Sequence, residues 1–202
     1  MHYLTPTPPL FAPPPLCSHT CVALQASAAG STRALPCSNP PPPLVHAAAP
    51  LLQVVVADAG SADFDLPGSL HGMVVDAPCS ATGVGRKRPD VLQYTPREGL
   101  LETQKNVAKN CIQLMKKKGG GVVVYSVCSL LKEEGEDVVD YLLANLTGVT
   151  LDPVLVGTVG WEFDDAIDSR GCVRVLPGVQ GGVEGEWWGD GFFVARLIIE
   201  PE

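Results

Sequence analysis

The sequence lacks several features that would place it in other classes of protein. It contains no apolar run approaching the ~20 residues that a membrane-spanning helix requires. Its seven cysteines are scattered and odd in number, unlike the disulfide framework of a small secreted domain. None of its four histidines belongs to a recognisable Cys–His pairing, which argues against a protease-like dyad. Cys17, Cys21 and Cys37 have no fourth Cys or His partner at zinc-site spacing, so we expect no metal site.

Charge is also missing from one part of the chain and concentrated in two others. The formal net charge is −8, yet residues 1–50 carry one charge, Arg33. Residues 86–132 hold ten Lys/Arg against three acids, a net of +7, whereas residues 133–202 hold 15 acids against three Arg, a net of −12. The mean charge would discourage an RNA partner, but the basic segment permits one.

The chain divides at about residue 50. Residues 1–50 contain 12 of the 19 prolines, including Pro13–Pro15 and Pro40–Pro43, and polyproline cannot form ladder or helix hydrogen bonds. We expect a Pro/Ala-rich tail over residues 1–50, extended or disordered, and a folded part over residues 51–202. A transit peptide and a spurious gene-model extension both stay open for the tail. An intracellular reducing compartment is expected, with organelle (chloroplast or mitochondrion), nucleolus and cytoplasm all open.

The folded part alternates strand and helix patterns, which predicts an α/β fold with a mostly parallel sheet covered by helices and an antiparallel hairpin at one edge. Apolar runs predict buried strands, and 3.6-residue spacing predicts helices. The predicted strands are Leu52–Val56, Met73–Val75, Val122–Val127, Leu151–Val156, Cys172–Leu176 and Phe192–Ile199, and the predicted helices are residues 98–118 and Glu133–Leu146.

Polar and sulfur-bearing residues follow three of these strands. Asp58 follows the first strand, Asp76 and Cys79 follow the second, and Cys128 follows the third. In an open α/β sheet, reactive groups gather outside the carboxyl ends of the strands. A thiolate nucleophile needs a partly exposed, electropositive setting, and the basic segment flanks both cysteines. A carboxylate beside a cysteine suits a substrate with an amide-like edge to which the thiolate adds.

These residues lie in blocks that resemble a known family. Val75–Val84 resembles the D-A-P-C-S-[GA]-T-G block of the Nol/Nop/Sun family of RNA cytosine-5 methyltransferases, and Ala81 with the following basic loop is most similar to its RsmB-type branch. Gln104, then Gly119-Gly120 and Val122–Ser129, resemble Q…GG-x-L-V-Y-x-T-C-S. Further similar blocks are Glu133–Glu136, Leu176–Gly178 and Asp190–Leu197.

The resemblance implies a partial class I, Rossmann-like methyltransferase sheet, S-adenosylmethionine as cofactor and RNA, specifically ribosomal RNA, as substrate. It implies that Cys128 is the thiolate that adds to C6 of cytosine, and that Cys79 assists release of the product. Asp76 would contact the cytosine edge and the cofactor, and Asp58 the cofactor's adenine. Arg86, Lys87 and Arg88 would neutralise RNA phosphates, although a solvated charge run stays open.

The sequence also departs from the family pattern. No Gly-rich Asp-x-Cys-Ala-x-Pro-Gly-Gly block is present, and Val127 replaces the Thr of T-C-S. We therefore expect the chain to correspond to the carboxyl-terminal half of the catalytic domain and to bind the cofactor poorly. The alternative to an active RNA (cytosine-5) methyltransferase is a catalytically inactive RNA-binding or interaction fragment of one. We expect a monomer.

Overall fold

The computed structural model describes residues 57–66, 68–93, 99–157, 164–177 and 189–202. The tail over residues 1–50 and the strand over Leu52–Val56 lie outside these residues, and both stay predictions. None of the helices in the described ranges is long and apolar enough to cross a membrane.

Five strands and two α-helices form the described part of the chain. They are β1 (Gly72–Asp76), α1 (Leu100–Lys117), β2 (Gly121–Val127), α2 (Glu136–Asn145), β3 (Val149–Leu151), β4 (Val173–Val175) and β5 (Phe192–Ile199). Short 3-10 turns at Thr82–Val84, Pro89–Gln93, Lys132–Glu134 and Asp164–Ala166 connect them.

The strands form one mixed sheet in the order β1-β2-β5-β3, with β4 also paired to β5. β1 and β2 are parallel, and β5 is antiparallel to β2, β3 and β4. Four of the five strands therefore point the same way and β5 alone is reversed, which confirms the predicted α/β class with a mostly parallel sheet. The predicted antiparallel partner of the final strand is β4, but β5 itself lies inside the sheet rather than at its edge.

The core lies between the sheet and the two helices. Alternate residues of β1, β2 and β5 are buried on the face that α1 covers, and α1 also contacts α2. Cross-strand pairs such as Val75–Tyr125 and Val127–Phe193 place these side chains in line. The continuous apolar runs predicted strands buried on both faces, whereas Val74 is 49% exposed on the other face.

The end of one strand and the start of one helix differ most from the prediction. The strand predicted over Leu151–Val156 is instead Val149–Leu151, because Pro153 has no N–H for the ladder and the chain turns away there. The second helix begins at Glu136 rather than at Glu133. Gly135 separates the 3-10 turn from α2. A Cβ added at Gly135 would lie 2.8 Å from the Arg174 guanidinium and 2.9 Å from the Phe193 ring.

The position of β5 inside the sheet predicts a large difference between its two faces. Phe193→Ala should lower the free energy of unfolding by about 3–5 kcal/mol, because Phe193 is fully buried. Ile198→Ala on the same strand, where the side chain is 37% exposed, is the matched control and should cost about 1 kcal/mol or less. Urea denaturation followed by circular dichroism measures both, and equal losses would contradict the assignment of faces.

Candidate active site

The carboxyl ends of β1 and β2 bring the predicted site residues together. Asp76 is the last residue of β1 and pairs with Ser126 of β2, so the two strands end side by side. Cys79 follows β1 by three residues, and Cys128 follows β2 directly. A parallel pair is the arrangement that places two such ends at one edge.

The sulfurs of Cys79 and Cys128 lie 3.4 Å apart, within hydrogen-bonding distance. Both thiols are half-buried. The contact with Cys79 lowers the pKa of Cys128, because a donated S–H stabilises the Cys128 thiolate. The same contact, together with burial, raises the pKa of Cys79 well above that of an ordinary thiol. The shifts therefore make Cys128 the first thiol of the pair to lose its proton, with Cys79 as the hydrogen-bond donor.

The Cys79 hydrogen bond is the main cause of the lowered pKa of Cys128. Burial and the negative charges of Asp76 and Glu134 act in the opposite direction and raise that pKa. The second thiol is therefore the contact that most favours the thiolate, and the contribution of the basic segment stays a prediction.

Three loops meet at Gly83, next to the sulfurs. The Gly83 N–H donates to the Cys128 carbonyl at 3.0 Å, and the Gly191 N–H donates to the Gly83 carbonyl at 2.8 Å. A Cβ at Gly83 would lie 2.1 Å from the Gly191 oxygen and 2.9 Å from the Cys128 oxygen. Only glycine permits this approach, which joins the loops after β1, after β2 and before β5.

A network of hydroxyl groups links the segments that follow the two cysteines. Ser80 and Ser129, each the residue after a site cysteine, have their hydroxyl oxygens 3.2 Å apart. The Thr82 hydroxyl lies 3.3 Å from that of Ser129 and accepts from the Leu130 N–H at 2.9 Å. The carboxylate of Glu134 accepts from both the Ser80 N–H and the Ser80 hydroxyl.

Gln104 of helix α1 holds the backbone segment that precedes Cys79. Its side chain is fully buried, and its Nε2 donates to the Pro78 carbonyl at 2.8 Å. Its Oε1 is buried and has no hydrogen-bond partner among the described residues. The amide therefore holds the backbone immediately before Cys79 against the helix.

The two predicted cofactor carboxylates are both exposed, Asp76 at the end of β1 and Asp58 in a turn against α1. Asp76 is close enough to Cys128 for its charge to raise the pKa of that thiol. Asp58 accepts the Gly60 N–H at 2.8 Å through Oδ1. Asn110 of α1 donates to the carbonyls of Ala59 and Ser61, each at 3.0 Å, and so anchors the Asp58 turn.

The predicted RNA-contacting residues Arg86, Lys87 and Arg88 lie on the surface of the loop after Gly83. Lys87 pairs with Asp190 at 2.8 Å, and Arg88 pairs with Asp90 at 2.8 Å. The Arg88–Asp90 pair is exposed on both sides, and such pairs contribute about 1 kcal/mol or less, so a phosphate can compete for Arg88. Asp190 is mostly buried, whereas Lys87 keeps 58% of its side chain exposed.

Within the described ranges, no three His, Cys, Asp or Glu side chains cluster in a way that would hold a metal ion.

The sequence does not identify four of the residues that support the site, which are Ser80, Ser129, Thr82 and Glu134. The repeated Cys-Ser dipeptide at 79–80 and 128–129 was the available signal for the two serines.

The chain is similar to a known family of methyltransferases. A family model described as 16S rRNA methyltransferase RsmB/F matches residues 48–198. The chain is 30% identical over 146 residues to ribosomal RNA small subunit methyltransferase F of Aliivibrio salmonicida, covering 68% of this chain and 28% of that protein. It is 37% identical over 140 residues to ribosomal RNA small subunit methyltransferase B of Xylella fastidiosa, covering 65% and 28%. The chain thus spans less than a third of the length of these relatives.

Among solved structures, the chain is similar to the crystal structure of NSun6 from Pyrococcus horikoshii with SFG. The TM-score is 0.53 at 25% identity, and the match covers 74% of this chain and 35% of that one.

The asymmetric thiol pair predicts which cysteine reacts first with an alkylating reagent. Iodoacetamide should modify Cys128 fastest, and its reaction should persist to lower pH than for an ordinary thiol, because a lowered pKa keeps the thiolate populated there. Cys79→Ala should move this pH profile upward and slow Cys128 alkylation at pH 7 by about tenfold. Buried Cys172, whose pKa burial raises to about 11, is the internal slow reference in peptide mass spectrometry. Faster reaction at Cys79, or an unchanged profile in Cys79→Ala, would contradict the assignment.

The close approach at Gly83 predicts that a single methyl group there disrupts the pair. Gly83→Ala should force the three loops apart, destabilise the chain by about 2 kcal/mol or more, and slow disulfide formation between Cys79 and Cys128 with diamide. Gly72→Ala is the matched control, because its Cβ would meet only the Val122 oxygen at 3.5 Å. Equal rates of disulfide formation in the two alanine variants would show that the close approach at Gly83 does not hold the sulfurs together.

Proposed function

The chain belongs to the RsmB/F family of 16S rRNA methyltransferases, which use S-adenosylmethionine, and from that premise we propose that it is an RNA (cytosine-5) methyltransferase acting on ribosomal RNA. The observation that carries the proposal is the 3.4 Å contact between a thiol of lowered pKa and a thiol of raised pKa at the carboxyl edge of the sheet. Addition to a pyrimidine ring needs such a nucleophile.

The proposed reaction uses Cys128 as the nucleophile. Its thiolate forms a bond to C6 of cytosine, and the electron pair of the C5–C6 double bond moves to C5, which becomes nucleophilic. S-adenosylmethionine, when bound, supplies the electrophilic methyl group. As C5 takes this methyl group, the methyl–sulfonium bond breaks and S-adenosylhomocysteine would be left. A solvent base then takes the C5 proton, the C5–H electron pair re-forms the C5–C6 double bond as the C6–S bond breaks, and Cys128 leaves as a thiolate.

Cys79 acts on the departing thiolate in this proposal. Its S–H, 3.4 Å from the Cys128 sulfur, stabilises the thiolate both before addition and as it leaves. Because its own pKa is raised, Cys79 keeps its proton while Cys128 is charged. This supports the role of product release that the family resemblance implies.

Asp76 and Asp58 supply the polar contacts in the proposed substrate and cofactor sites. In this proposal Asp76 accepts a hydrogen bond from the exocyclic amine of cytosine and faces the cofactor; its exposure at the end of β1, near Cys128, supports this role. Asp58 uses Oδ1 in its own turn, and a carboxylate there suits the amine of an adenine. Both residues are acceptors, which fits the donor groups of the cofactor.

Arg86, Lys87 and Arg88 would bind the RNA backbone beside the site. The Lys87–Asp190 pair spans the loop after Gly83 and the loop before β5, so a phosphate that takes Lys87 from Asp190 would arrive at the edge of the site. Binding through such contacts weakens as salt rises.

The alternative function is that of a non-catalytic RNA-binding fragment. The paired sulfurs and their supporting network favour the catalytic proposal, since RNA binding alone requires neither. Calorimetry with S-adenosylmethionine distinguishes the two: heat of binding supports the enzyme, and no heat at millimolar cofactor contradicts its activity as a separate chain.

The proposed mechanism predicts a trapped covalent complex. RNA containing 5-azacytidine, which has no C5 proton to lose, should form a denaturant-resistant adduct with the protein in the presence of S-adenosylmethionine. Cys128→Ser should abolish the adduct, whereas Cys172→Ser, the matched control, should retain it. Cys79→Ser should accumulate an adduct even with unmodified RNA, because release is impaired. An adduct that survives in Cys128→Ser would exclude Cys128 as the nucleophile.

A further inference from the structure

Glu134 is the one buried acidic residue in the described part of the chain, with 1% of its surface exposed. Its carboxylate makes no ion pair with a described residue and is held by a single partner, Ser80. Both oxygens accept from the Ser80 N–H, at 3.1 and 3.2 Å, and Oε2 also accepts from the Ser80 hydroxyl at 2.8 Å. Burying a carboxylate costs free energy unless hydrogen bonds compensate, so this contact is a strong constraint on where Ser80 lies.

Glu134 is itself fixed by strand β2. The Tyr125 hydroxyl donates to the Glu134 carbonyl at 2.8 Å, and Tyr125 is fully buried in the core. The Glu134 N–H donates to the Leu131 carbonyl at 3.3 Å, closing the 3-10 turn before α2. Glu134 is therefore held in place by the buried Tyr125, and it lies in the segment that follows Cys128.

Ser80, in contrast, belongs to the Cys79 side, as the next residue along the chain. The Glu134–Ser80 contact is thus a side-chain bridge between the segments that carry the two cysteines. The Ser80 hydroxyl also lies 3.2 Å from that of Ser129, the residue after Cys128. Moving Ser80 away from Glu134 would carry Cys79 away from Cys128.

We propose that Glu134 is a positioning residue that holds Cys79 at hydrogen-bonding distance from Cys128. It touches neither sulfur through a hydrogen bond and acts through Ser80. The catalytic consequence rests on the proposed function, but the sulfur geometry does not, and the test below uses neither RNA nor S-adenosylmethionine. Failure of this proposal is therefore distinguishable from failure of the methyltransferase proposal.

The first readout is the rate at which diamide oxidises Cys79 and Cys128 to a disulfide. In this reaction the two thiols lose two hydrogens to diamide, and one S–S bond forms. Glu134→Ala should slow disulfide formation, relative to Cys128 alkylation, by about tenfold, because the three hydrogen bonds that place Ser80 are lost. Glu134→Gln, which keeps one acceptor oxygen, should show a smaller decrease. Glu133→Gln is the matched control, an exposed neighbour with the same change of charge, and should match the unaltered protein.

The second readout is a double-mutant cycle on the pH profile of Cys128 alkylation. Because the Glu134 charge itself raises the pKa of Cys128, the comparison is between Glu134→Ala and Glu134→Gln, which both remove that charge. If Glu134 acts by placing Cys79, the Glu134→Ala profile should lie at higher pH than the Glu134→Gln profile, and this difference should disappear when Cys79→Ala is added to both. A merely structural role would lower the melting temperature but leave the two effects additive.

Unchanged disulfide rates in both Glu134 variants, or additive effects in the cycle, would overturn the proposal. If a thermal melt shows that Glu134→Ala is not folded, the disulfide rates of Glu134→Gln and Glu133→Gln are the test of the proposal. Equal disulfide rates in those two variants would then overturn it.

Discussion

The parallel pairing of β1 with β2 is the constraint on which the site depends. Because Asp76 pairs with Ser126, the two strands end at the same edge of the sheet, and the cysteines that follow them come into contact. A shift of one residue would turn the buried alternation of Val75, Tyr125 and Phe193 to the open face of the sheet. The core therefore sets the register, and the register sets the distance between two sulfurs that are 49 residues apart in sequence.

Above the strands, the site is held by contacts that tolerate little change. Gly83 lets three loops approach through backbone hydrogen bonds, and Glu134 links Ser80 to the turn that precedes α2. Gln104 holds the Pro78 carbonyl from the helix side. These contacts lie on different sides of Cys79, so its position is determined by its surroundings rather than by the loop's own conformation. A precisely placed donor is what a thiolate nucleophile requires.

The sequence predicted the elements whose patterns are local and missed those that depend on tertiary contacts. The range of β5 was correct, because an eight-residue apolar strand is set by its own composition. The convergence of Asp76, Cys79 and Cys128 followed from their places at strand ends. The break at Gly135 depends on Arg174 and Phe193, which pack there from distant segments, and no local signal reveals it. Glu134 resembled an ordinary helix-start acid, and only its burial against Ser80 distinguishes it. The segregated charges also meet across the fold, since Lys87 of the basic segment pairs with Asp190 of the acidic portion.

Catalysis by this pair requires Cys128 to lose its proton before Cys79, which donates a hydrogen bond to the resulting thiolate. The most direct measurement is a pH titration of the protein labelled with 13C at the cysteine β-carbons, followed by NMR. We expect the Cys128 signal to titrate below the range of an ordinary thiol and the Cys79 signal above it. If the two cysteines titrate together in the ordinary range, or if Cys79 titrates first, then Cys79 does not stabilise a Cys128 thiolate.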